Sequence, residues 1–103
     1  MYALAIVRYR CPIDQVAEEH RQAHRDYLLR LKSEGVLIAS GPFKPHHGGA
    51  LLLRVGDDEI TAALNRVRDD DPFTELDLAQ YELLAWDVKT GVEELDGLSI
   101  TGS

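Results

Sequence analysis

The apolar positions of this chain fall into four short runs, interrupted by two stripes at helical spacing. Residues 2–10 (YALAIVRYR) are apolar and β-prone with charge only toward the end, which predicts a buried strand. Cys11-Pro12-Ile13 breaks it. Asp14 is then a candidate helix N-cap, and Glu18 and Glu19 sit where the helix dipole favours negative charge. From there to Glu34, Val16, Ala17, Ala23, Tyr27, Leu28 and Leu31 recur at helical spacing. Gly35 is the natural C-terminal stop.

Val36 to Ser40 predicts a second strand, ended by Gly41-Pro42, and Phe43 to Gly49 a connecting loop. Ala50 to Val55 predicts a third strand. Gly56-Asp57-Asp58 announces a second helix to about Arg68, with Ile60, Ala63, Leu64 and Val67 on its inner face. Asp69 to Phe73 ends that helix, and Gln80 to Val88 predicts the fourth strand. The order β-α-β-β-α-β is that of a ferredoxin-like α+β domain: a four-stranded antiparallel sheet with both helices on one face. Residues 1–88 are expected to form this domain, and residues 89–103 a tail or dimer arm.

An antiparallel sheet with one wet face should alternate apolar and polar residues. These strands do not. Ala3, Ala5 and Val7 oppose Leu4 and Ile6, Ala50 to Leu53 are apolar on both sides, and Leu83 and Ala85 oppose Leu84 and Trp86. Two helices cover one face only, so the other is expected to pack on a second copy in a closed homodimer, a dimeric α+β barrel. The sister subunit would then help wall in the site. The alternative cover is the tail, whose Val92, Leu95, Leu98 and Ile100 are few and scattered.

Composition narrows the partners. Eighteen acidic against eleven basic residues give a net charge of −7, which repels a polyanion. Arg8 and Arg10, and Arg21, Arg25 and Arg30, are interleaved with acids, so nucleic acid is not an expected partner. Cys11 is the single cysteine, which excludes an internal disulfide and a thiolate metal cluster. The apolar run at the N-terminus is short and has no basic leader, and no stretch has the length of a membrane span. A cytoplasmic protein without a membrane partner is the expectation.

His24 shares a helix face with Ala17, Leu28 and Leu31, so its imidazole points at the sheet. An imidazole placed there needs a partner; the plain alternative is a satisfied core histidine. Asp71 closes the run Asp69-Asp70-Asp71, and Pro72 holds it extended, which directs its carboxylate. The alternative is a solvated turn. In the expected topology Asp71 and Ser40-Gly41-Pro42 meet at one end of the sheet, with His24 reaching toward them. Ser40 lacks a nucleophile elbow and fits substrate positioning, while Gly41 and Pro42 shape a turn near a ligand. His46 and His47 fit a pocket mouth, the alternative being exposed loop histidines with no role. His20 and His24 lie four apart, but no third ligand follows at a telling spacing, so no metal is expected. Phosphate loops and dinucleotide fingerprints are absent, so no cofactor is expected.

Arg21 to Leu28, Gly35 to Pro42, Gly49 to Leu53, and Asp71-Pro72-Phe73 with Trp86 together resemble the YCII-related domain over residues 2–88. That resemblance implies a ferredoxin-like fold paired as a dimeric α+β barrel, and a His-Asp pair in a pocket. It maps the pair onto His24 and Asp71, with Ser40, Gly41, Pro42, Phe73 and His47 as substrate-binding candidates. One related branch removes chloride from a chlorinated hydroxyhydroquinone, and the wider superfamily includes muconolactone isomerases and small monooxygenases. The chain departs from the family at Leu76-Asp77-Leu78, where members often carry glycine-leucine, so the turn into the fourth strand is expected to differ.

Three functions compete. The first is acid–base catalysis (elimination, isomerisation or dehydrochlorination) on a small cyclic or aromatic compound, with His24 as acid or base and Asp71 orienting it or handling a second proton. The second is a small-ligand binding or accessory module using the same pocket. The third is a structural dimer in which His24 and Asp71 only satisfy each other.

Overall fold

The computed structural model of the chain describes residues 1–98. Strand β1 spans Tyr2–Tyr9, helix α1 Glu18–Ser33, β2 Leu37–Pro42, β3 Gly48–Arg54, α2 Ile60–Asp69, α3 Pro72–Glu75, β4 Ala79–Trp86 and α4 Val92–Asp96. The sheet order is β2-β3-β1-β4, antiparallel throughout. This is the ferredoxin-like α+β arrangement expected from the order of elements.

The period of two along the strands decides what is buried. Ala3, Ala5, Val7, Leu51 and Leu53 join Tyr27 and Leu31 of α1 and Leu64 and Val67 of α2 in one core. The Tyr27 hydroxyl donates to the Val67 carbonyl at 2.7 Å and ties the helices together. The opposite parity presents Leu4, Ile6, Ala50, Leu52, Leu84 and Trp86 on the helix-free face. Leu84 and Trp86 are 41% and 42% exposed there.

Helix α1 ends where glycine marks it. Gly35 has φ +79, its N–H reaches the Lys32 carbonyl, and the Val36 N–H reaches Leu31, which together close a Schellman cap. Its start differs from expectation. Asp14 lies in a short 3-10 turn, Ile13–Gln15, and the cap position falls on Ala17 without a side-chain bond. Val16 takes an extended conformation that buries its side chain in the core, so packing overrides the Asp14 cap.

Gly41-Pro42 does not end the second strand but lies within it, pairing with Ala50 and Gly49. Strand β2 is an edge with β3 as its one neighbour, and an edge tolerates a residue that lacks an N–H. The loop accordingly shrinks, because Gly48 and Gly49 join β3. A Cβ on Gly49 would stand 2.4 Å from the Gly41 carbonyl oxygen, so only glycine allows this approach.

Two short helices escaped the hydrophobic pattern, α3 after Asp71 and α4 in the tail. Tyr2 donates to Asp96 at 2.6 Å and Arg54 donates to the Leu95 carbonyl at 2.8 Å. The tail therefore covers the Tyr2 end of the open face, while Leu84 and Trp86 stay exposed. Ile100 lies outside the described residues. Among the described residues no helix is long and apolar enough to cross a membrane.

Candidate active site

Asp71 is built into place by its neighbours in sequence. Pro72 at the first position of α3 leaves Asp71 extended (φ −71, ψ 127) as the N-cap. One carboxylate oxygen, Oδ1, accepts from the Phe73 N–H at 3.0 Å. The residue is wholly buried, at 0% exposure, so its charge has no water to lean on. Two further groups complete its surroundings. His24 Nδ1 lies 2.8 Å from Oδ1, and the Tyr81 hydroxyl donates to Oδ2.

A carboxylate only accepts hydrogen bonds, so the proton on the His24 ring sits on Nδ1 and the lone pair on Nε2. The ring is held flat as well. It stacks on Phe73 with centroids 4.2 Å apart and planes 8° from parallel, and Phe73 meets Tyr9 edge-on at 6.0 Å. Burial, and after it the Asp71 charge, pushes both the Tyr81 and Tyr9 phenols above their ordinary range. Tyr81 is therefore a neutral donor to the carboxylate at any physiological pH.

His24 lines a cavity of about 400 Å³ between α1 and the β2 end of the sheet. That volume is in the range of small-ligand sites. Ser40, Gly41, Pro42 and Phe73 line it too, so it gathers these substrate-binding candidates beside the imidazole. Asp71 stands behind the ring and does not reach the cavity. His47 lines a separate groove with Cys11 and Asp14, and His46 occupies the cavity wall instead. His20 sits elsewhere on α1, and among the described residues no group of three His, Cys, Asp or Glu is placed to hold a metal.

Four contributors were not singled out from sequence: Tyr81, Tyr9, Arg21 and Arg25. Strand parity carried the signal for Tyr81, which shares the helix-side parity of Leu83. For the arginines it lay in their positions three before and one after His24, on the same helical stripe. At the turn into β4, Asp77 adopts φ +58, the left-handed conformation, and pairs with Arg10 at 3.1 Å.

Comparison with protein families matches residues 1–87 to the YCII-related domain. Among curated proteins, none matches the chain.

Proposed function

Because the chain belongs to the YCII-related domain family, we propose that it catalyses proton transfer on a small cyclic or aromatic compound, with His24 as the acid–base group. The observation that carries this reading is the His24–Asp71 pair, 2.8 Å apart, with the carboxylate buried and the ring 13% exposed beside a cavity. Asp71 anchors Nδ1–H and leaves Nε2 free to take a proton from a ligand carbon. The imidazolium that forms is stabilised by the buried carboxylate behind it. In an elimination, the electron pair freed at carbon expels a leaving group from the neighbouring carbon. In an isomerisation, the same proton returns to a different carbon from Nε2–H. Asp71 is a positioning residue in both.

Ser40, Gly41, Pro42 and Phe73 shape the space in which the ligand lies. The working unit we propose is a homodimer, closed through Leu4, Ile6, Leu52, Leu84 and Trp86 on the sheet's open face. Their unbroken apolar character supports it, as does the polar border formed by the Arg8–Glu82 ion pair at one end and Arg54 at the other.

A thermal-shift screen of small acids, phenols and lactones, with product analysis of every hit, tests the reaction. The expected outcome is turnover of a bound compound that His24→Ala lowers by about 10²–10⁴-fold. Turnover unchanged in His24→Ala rules out the catalytic role. Ligands bound without any product by the unaltered protein would mark a binding module.

A further inference from the structure

Arg21, His24, Arg25 and Leu28 form one stripe of α1 and all four line the cavity. Its charge is one-sided. Arg21 and Arg25 are cations, and among the described residues no carboxylate lines the wall, although the chain carries a net charge of −7. Glu18 holds the pair from the side, 2.7 Å from Arg21 Nη2 and 2.6 Å from Arg25 Nη2. The hydrogen bond from Arg25, and next the Arg21 charge, keep Glu18 below the ordinary carboxylate range. Glu18 is thus ionised and cancels one of two positive charges. A second observation concerns the donors themselves. Arg21 Nε is buried and has no hydrogen-bond partner among the described residues, so its guanidinium fork is only partly used.

We propose that the cavity takes a small carboxylate-bearing ligand, with Arg21 and Arg25 receiving the anionic group. Its apolar body then lies against Ile13, Leu28 and Leu51, which also line the wall. A planar carboxylate fits the fork of a guanidinium better than any neutral group does. Anchored there, the ligand places its ring or chain under His24. The proposal rests on the acid–base reading for where the reacting carbon lies, but its recognition step is read without turnover.

Benzoate with benzamide, and acetate with acetamide, are the probes, titrated into the full chain and followed by the imidazole signals in NMR. At least one carboxylate is expected to bind about tenfold or more tightly than its amide. Raising the salt concentration should shrink that ratio. Arg21→Gln and Arg25→Gln should each erase most of the ratio by weakening the carboxylate while leaving the amide unchanged. Equal affinities within both pairs, or no binding of any probe at millimolar concentration, overturn the proposal, and this comparison needs no variant to fold. Failure here with turnover still dependent on His24 removes only the anion site. A carboxylate preference with turnover indifferent to His24 removes only the base.

Discussion

Asp71→Ala is expected to lower the free energy of unfolding by about 3 kcal/mol or more, since each buried donor left without its acceptor costs about 1–3 kcal/mol. Three donors converge on this carboxylate: the Phe73 N–H, His24 Nδ1 and the Tyr81 hydroxyl. Alanine would leave all three without their acceptor at a wholly buried position, and remove the N-cap of α3 as well. Since small domains are stable by only about 5–15 kcal/mol, this one truncation consumes a large share. Asp71→Asn keeps an acceptor for Phe73 and is expected to lose less. Its damage falls on Tyr81, because the amide oxygen can serve both Phe73 and His24 Nδ1 at the Oδ1 position while the NH2 replaces the oxygen to which the Tyr81 hydroxyl donates. Urea unfolding at one fixed protein concentration measures both, since a dimer's stability depends on concentration. A loss below about 1 kcal/mol for Asp71→Ala would mean that the carboxylate does not organise the site.

Leu4→Lys is expected to split the proposed dimer into folded single chains. Leu4 sits at the centre of the open face, flanked by Leu52 on β3 and Leu84 on β4. Its side chain has the parity opposite to Ala3 and Ala5, so the helix-side core is untouched by the change. In the dimer, an ammonium there is buried without a partner, which costs several kcal/mol. Association should weaken by about 100-fold or more. In the single chain the same ammonium reaches water along the exposed face. Light scattering should report two chains for the parent protein at micromolar concentration and one for Leu4→Lys, with unchanged circular dichroism. A single-chain mass for the parent protein, or an intact dimer for the variant, contradicts the proposed interface.

Much of the fold was legible because its signals are local and physical. Gly35 ended α1 since only glycine takes φ +79 cheaply, and the parity of Ala3, Ala5 and Val7 named the core side of β1. His24 and Asp71 were legible for the same reason: helical phase aimed one inward, and Pro72 held the other extended. What stayed hidden depended on tertiary packing. Asp14 has cap chemistry, but Val16 is drawn extended into the core, and the helix starts later. Gly41-Pro42 reads as a break until β2 is known to be an edge strand. Between His46 and His47, no local rule chooses which faces the cavity. Arg21 and Arg25 read as surface cations, and only the closing of β2 over α1 makes them part of a wall.

The most direct test of the site is the tautomer of the helix-one imidazole, read from its ring nitrogen shifts by NMR while the ring is neutral. Hydrogen on Nδ1 and a bare Nε2 are expected in the parent protein, where Asp71 Oδ1 accepts from Nδ1. Hydrogen found on Nε2 in the parent protein would leave no base facing the cavity and contradict the acid–base reading.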